Sequence, residues 1–216
     1  MSRWLILTRA PEATIARAAE AAAALAGVHH CSGGIDLPGS QGGSGAVVDL
    51  AADIAPAAAL PALFAADADP AASGTFPAAA SGAEVAGAEA IPLLPVASRI
   101  ASCDSARRIK RTLLLTVRAG TPAAVVDRFE ADLMAMPAHI TAIKSWALSR
   151  VSGESRWTHV WEQEFESPEG LNGDYLLHPY HWTHVDRWFD PEVPGSIVEP
   201  AIAHLYRWAD GPVLTE

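Results

Sequence analysis

An internal echo constrains this chain more than any other feature. Residues 5–8 read Leu-Ile-Leu-Thr and are followed by Arg9, Ala10 and Pro11; residues 113–116 read Leu-Leu-Leu-Thr and are followed by Arg118, Ala119 and Pro122. Each apolar run has the length of a strand, and each proline opens a segment whose apolar residues recur at helical spacing. In the first copy these are Ile15, Ala18, Ala22 and Leu25, and in the second Val126, Phe129, Leu133 and Met136, a three-four-three rhythm that puts all four on one helix face. A strand–helix opening that occurs twice, about half the chain apart, predicts two similar units rather than one large one.

The second half completes its pattern clearly. Residues 143–151 and 157–165 read as strands around the turn Ser152-Gly153-Glu154, a hairpin. Ser167-Pro168 opens a helix with a serine N-cap and a proline in the first turn. The loop 190–195, with Pro191, Pro194 and Gly195, precedes a final strand over 201–208. The order is β-α-β-β-α-β, the ferredoxin-like plan. The first half follows it with strands over 28–37 and 46–50 around the glycine-rich turn 39–45, a weak helix over 61–66 and a last strand over 91–96. Residues 65–90 are biased to Ala, Pro and Gly and read as an insertion, and 101–108 as the connector. We therefore expect an α+β protein of tandem ferredoxin-like units, 1–100 and 109–216. Helices cover only one face of such a sheet, so the two apolar faces left over should pack on each other.

Half of the 216 residues are hydrophobic, enough for a sizeable core. A formal net charge of -10, with no basic run longer than residues 107–111, argues against nucleic acid as a partner. The apolar run at residues 4–8 is too short for a signal peptide or a membrane span, and Glu20 interrupts the alanine-rich run 18–26. The expected location is the cytoplasm, with no membrane partner. Cys31 and Cys103 are far apart and outside any Cys-x-x-Cys pattern, so both are expected as reduced thiols. The turn 39–45 lacks the adjacent Lys-Ser/Thr of a phosphate loop, and no cofactor is expected.

Residues 175–181, Tyr-Leu-Leu-His-Pro-Tyr-His, concentrate the chemistry. Imidazole titrates nearest neutrality, and a buried phenol can donate to a developing oxyanion. Pro179 suits the first turn of a helix, which places His181 inside that helix and Tyr175 on the segment entering it. His178, His181 and His184 recur every third residue and so rotate round a helix instead of converging on one ion, and no His-Glu-x-x-His accompanies them. No metal site is expected.

These pieces resemble a known family. The opening strand 111–117, the strand 157–167 and the Tyr-x-x-His-Pro-x-His run make residues 111–208 similar to the stress-responsive α/β-barrel (Dabb) domains of the dimeric α+β barrel superfamily. The resemblance implies pairing of two units sheet to sheet, here within one chain, and a homodimer is kept as a candidate assembly. It also implies one competent site per chain, because the first half lacks the motif. In the family's cyclase member the tyrosine and last histidine of the motif form a hydrogen-bonded acid/base pair, which carries over to Tyr175 and His181. In noncatalytic members the same two residues cap and pack a helix.

The candidate substrate-binding residues are Arg111, His159, Trp161, His178, Trp182 and Arg207. Arg111 replaces the histidine frequent near the start of the family's first strand, and a cation there suits a carboxylate; alternation sets it with Leu113, Leu115 and Val117, at the rim if in water. Arg207, beside Leu205 on the final strand, is a second cation. His159 occupies a family histidine position and alternates with Trp157, Trp161, Gln163 and Phe165, which makes it either a pocket or a hydrogen-bonded core histidine. His178 precedes proline and bonds locally or supports the pocket. Trp161 and Trp182, with Trp146, wall a flat ligand or pack the core. The function expected is a cofactor-independent isomerase, lyase or cyclase acting through an enolate or phenolate on a compact conjugated or aromatic oxo acid. The alternative is a noncatalytic, stress-associated ligand-binding barrel.

Overall fold

The structure is a computed structural model describing residues 1–65, 87–101 and 106–214. Most of the 65–90 stretch, half of the 101–108 connector and Cys103 lie outside the described residues.

The first unit runs β1 (Ser2–Thr8), α1 (Glu12–Ala23), β2 (Val28–Ile35), β3 (Ala46–Ala52), two single turns α2 (Pro56–Ala59) and α3 (Pro61–Phe64), and β4 (Ala88–Arg99). The second runs β5 (Arg107–Leu115), α4 (Ala123–His139), β6 (Ser145–Val151), β7 (His159–Phe165), an irregular helical segment and β8 (Ala203–Asp210). The eight strands form one sheet in the order β2-β3-β1-β4-β6-β7-β5-β8. Both halves of that order are the same permutation, each unit's first strand lying between its third and fourth, so the chain is a tandem of ferredoxin-like units. Antiparallel β4 and β6 join the units along one seam. Along the other, the Leu37 amide donates to the Tyr206 carbonyl at 2.7 Å, and Gln41 and His204 exchange backbone hydrogen bonds of 2.9 and 2.8 Å. The result is a nearly closed barrel. Gly42 makes the second seam possible: its φ is +74°, and a Cβ there would lie 2.4 Å from the Ile202 carbonyl oxygen.

The repeated helix pattern packs as its spacing predicts in the second copy, where Phe129, Leu133 and Met136 are fully buried and Val126 partly so. In the first copy Ile15, Ala18 and Ala22 are buried, but Leu25 lies beyond the last residue of α1 and is 40 % exposed. Ser167 caps as expected, its Oγ accepting the Gly170 amide at 3.2 Å. Among the described residues no helix is long and apolar enough to cross a membrane.

The barrel interior departs from expectation. It is apolar where Leu5, Leu7, Val47, Ile91, Leu114, Val160 and Leu205 meet, but alternate inward positions carry buried charge. Lys110 Nζ donates to Asp49 Oδ1 at 3.0 Å, Glu162 Oε1 at 2.7 Å and Thr112 Oγ1 at 3.2 Å, using all three protons. Arg207 Nη2 donates to Asp49 Oδ2 at 2.7 Å, and Arg3 forks onto Glu162 at 3.0 and 3.1 Å. Arg108 pairs with Glu164, whose Oε1 also accepts the amides of Val213 and Leu214. Asp49 and Arg3 belong to the first unit and their partners to the second, so the contact between sheets is ionic as well as hydrophobic. A charge in such an interior is tolerable only because each is paired and hydrogen-bonded.

Candidate active site

The Tyr-x-x-His-Pro-x-His run is built from wide helical turns. Residues Gly170–Tyr175 and His181–Val185 are both π-helical, and Asp186–Trp188 continues as a 3-10 turn. Pro179 divides them, since the residue before a proline avoids the helical region. Tyr175 is thus the last residue of one π-turn rather than part of an extended approach, and His181 is the first residue of the next. Their rings meet edge to face, centroids 4.8 Å apart at 77°. Such wide turns are rare and recur at functional sites.

The two rings open into a cavity of about 170 Å³ between the outer face of the second unit's sheet and its helices. Its walls are mostly apolar, from Leu113 on β5, Leu133 and Met136 on α4, Trp161 on β7, Leu176, Val185 and Phe189 on the helical segment, and Ile202 before β8. Its polar lining is Arg111, Tyr175, His181, Asp186 and His204. Among the described residues, none of the first unit lines it.

Tyr175 is fully buried, edge-on to Phe165, and hydrogen-bonds with Gln163 rather than with His181. Burial pushes its hydroxyl up to about 12, against the opposing pull of Arg111, so it is protonated and a donor at neutral pH. His181 Nδ1 lies 3.2 Å from Asp186 Oδ1, close enough to pair but off the angle of a hydrogen bond. The carboxylate fixes which face of the imidazole meets charge and leaves Nε2 as the other ring nitrogen.

Arg111 is 3 % exposed, a buried residue and not a rim one. Its Nη1 donates to Gln163 Oε1 and its Nε to His204 Nε2, both at 2.6 Å, and its guanidinium carbon stands 5.0 Å from the Tyr175 ring centroid. Among the described residues it pairs with no carboxylate. His204 is held down to about 2 by burial, then by Arg111 and His181, so it is neutral.

Four of the candidate substrate-binding residues lie elsewhere. Arg207 points into the barrel, on the opposite face of β8 from the cavity, where Asp49 holds it. His159 is a hydrogen-bonded core histidine: Nε2 lies 3.1 Å from Glu130 Oε1, Nδ1 lies 2.8 Å from Thr158 Oγ1, and burial lowers its pKa despite Glu130. His178 Nδ1 accepts the Tyr180 amide at 3.1 Å, a local turn bond. Trp182 is 54 % exposed and donates to the Leu176 carbonyl, so it walls nothing. Arg111 and Trp161 do reach the cavity, Trp161 backed by Trp146 at 5.5 Å. Among the described residues no group of three or more His, Cys, Asp or Glu side chains is placed to hold a metal ion. His204 and Asp186 are the site groups that sequence reading left out, and Gln163 was set on the strand face of Trp161 without being named a candidate. For His204 the signal was available, since alternation along β8 puts it with Tyr206 and opposite Arg207, and a one-residue step exchanges faces.

Residues 109–199 match the family model of the Stress responsive A/B Barrel Domain, Dabb. Over those residues the chain is similar to the Dabb domain. No curated protein sequence matches the chain. Among solved structures, two named "putative monooxygenase" share the whole architecture. The one from Lactobacillus acidophilus NCFM has a TM-score of 0.55 at 10 % identity, covering 94 % of this chain and 92 % of its own. The one from Fusobacterium nucleatum has a TM-score of 0.55 at 7 % identity, covering 94 % and 90 %. An anthrone oxidase-like protein gives 0.53 at 8 % identity, covering 99 % and 94 %. Identities this low speak for the fold alone.

Proposed function

We propose that this protein is a cofactor-independent enzyme that moves a proton on a compact conjugated or aromatic oxo acid, an isomerase, lyase or cyclase working through an enolate or phenolate. The observation that carries the reading is a buried guanidinium, Arg111, that pairs with no carboxylate among the described residues, in a mostly apolar cavity whose other polar groups are Tyr175, His181, Asp186 and His204. A buried cation left without its counter-charge is costly, and an anionic ligand supplies that charge. The size agrees: an apolar cavity of about 150 Å³ accommodates benzene, so about 170 Å³ suits a single ring with a short substituent.

In this reading residues 109–216 carry the chemistry and 1–100 are a degenerate copy that completes the barrel. Arg111 holds the carboxylate. His181, with Nδ1 toward Asp186, takes a proton from the carbon beside the carbonyl through Nε2; the C–H electrons pass to the carbonyl oxygen, and the Tyr175 hydroxyl donates a hydrogen bond to the oxyanion. Return of the proton from His181 to a different carbon gives an isomer, and attack of the enolate on a second carbonyl gives a ring. The noncatalytic alternative uses the same cavity as a ligand store.

Exchange in deuterium oxide tests the reading. Proton NMR of a panel of arylpyruvates and alkenyl 2-oxo acids should show wild-type protein accelerating loss of the proton beside the carbonyl for at least one of them, with His181→Ala back at the buffer rate. Acids that bind without any exchange across the panel would leave the ligand store as the better account.

A further inference from the structure

We propose that His204 and Gln163 are positioning residues that hold Arg111 as the anchor for one oxygen of a carboxylate, and that this clamp makes the cavity select compact monoanionic acids over the corresponding neutral amides. The proposal deepens the reading of the cavity as a substrate site and rests on it.

The argument begins with the five N–H donors of a guanidinium, arranged in a rigid plane. Arg111 spends Nε on His204 Nε2 and one proton of Nη1 on Gln163 Oε1, each at 2.6 Å. Nη2 has no hydrogen-bond partner among the described residues. Two edges of the fork are fixed by acceptors that carry no charge, so the plane is oriented while the positive charge stays uncompensated. Carboxylates in those two places would hold the group just as firmly and quench its charge. That is the arrangement within the barrel, where Arg207 and Arg3 are paired with Asp49 and Glu162. The same chain thus treats its buried arginines in two ways, and among the described residues only the one facing the cavity forms no ion pair.

His204 can play this part only as a neutral ring accepting at Nε2, because an imidazolium would turn an N–H against the Arg111 N–H. Its surroundings agree. Burial and the adjacent Arg111 hold it far below the ordinary histidine value, and the Tyr206 hydroxyl lies beside the ring, 2.9 Å from Nε2 and 3.1 Å from Nδ1, where it can donate to either nitrogen of a neutral imidazole. Gln163 has a second duty, since it also hydrogen-bonds Tyr175. It therefore ties the anion anchor to the oxyanion donor and fixes the distance between the two ends of a bound acid.

Isothermal titration of the full chain with benzoate and with benzamide, at pH 7, reads the clamp directly. Benzoate should bind at least about 10-fold more tightly than benzamide, the size of one charge-assisted hydrogen bond. Arg111→Met should abolish the preference. His204→Leu should weaken benzoate by about 10-fold and leave benzamide unchanged, while His204→Gln, which restores an acceptor, should recover most of the loss. Gln163→Glu keeps the shape and supplies a counter-charge, so it too should erase the preference, and it decides the matter should His204→Leu fail to fold. Equal affinities in the wild type, binding of neither probe, or a preference that survives Gln163→Glu overturns the proposal. Intact preference without hydrogen exchange on any oxo acid would instead sink the catalytic reading and leave the clamp standing.

Discussion

Asp49→Ala should be the most damaging single change in the barrel interior, lowering stability by about 3–5 kcal/mol, the size found when one partner of a buried ion pair is removed. Asp49 sits on β3 of the first unit and is the only carboxylate within reach of Arg207 among the described residues; it also shares Lys110 with Glu162. Its removal leaves two buried cations with one partner between them. Urea melts of the full chain check this, and a loss below about 1 kcal/mol, the scale of an exposed pair, contradicts it. The double variant Asp49→Ala with Lys110→Met should recover part of the loss, because it removes an orphaned charge along with its site. Acid should act on the same group. Burial alone would raise the Asp49 carboxyl, but Lys110 and Arg207 outweigh it and hold it below the ordinary carboxylate range. A group depressed in the folded state contributes stability that is fully present above its unfolded pKa, about 3.9, and is lost as pH falls toward the folded value. Wild-type melting should therefore drop below about pH 4 more steeply than that of Asp49→Ala.

That interior also marks where sequence reading stops. The tandem plan was legible because it rests on local signals: the echoed strand–helix openings, the hairpin at Ser152-Gly153-Glu154, the Ser167-Pro168 cap. Each depends on neighbours within a few residues. Strand alternation likewise grouped Arg111 with Leu113, Leu115 and Val117 without saying which side that face meets; the structure puts Arg111 and Leu113 on the cavity. The ion network rests on pairings such as Lys110 with Asp49, 61 residues apart, and Arg207 with Asp49, 158 apart, which no local pattern encodes. A lone Asp in the apolar strand Ala46–Ala52 was the one hint, and it becomes informative only when a facing cation is known. The site divides in the same way. Tyr175 and His181 came from a contiguous motif, and the structure brings them together on the same cavity. His204 reaches Arg111 only because β8 pairs with β5, where Leu113 lies opposite His204 and Arg111 opposite Tyr206. Trp182 was named for its aromatic ring alone, which says nothing of the direction it faces; it follows His181 in the π-turn and is 54 % exposed.

His181→Ala should lower turnover by a factor of about 10²–10⁴, the usual contribution of a general base, while leaving the melting temperature nearly unchanged. The two expectations follow from one placement. His181 touches the rest of the protein through a ring contact with Tyr175 and a misaligned approach to Asp186, neither a bond whose loss would orphan a fully buried group. Tyr175→Phe separates chemistry from packing more sharply. The ring keeps its edge contacts with Phe165 and His181, and only the hydroxyl disappears, so the cavity keeps its shape but loses its oxyanion donor. Since that hydroxyl is protonated across the physiological range, its effect should be a pH-independent fall in kcat, with KM for the acid little changed because Arg111 still holds the carboxylate. A purely structural pair behaves otherwise: each variant then loses about 1–3 kcal/mol of stability through unpaired partners, and ligand binding and any turnover persist. Steady-state rates measured beside thermal melts tell these apart, and wild-type turnover in both variants would remove Tyr175 and His181 from the mechanism.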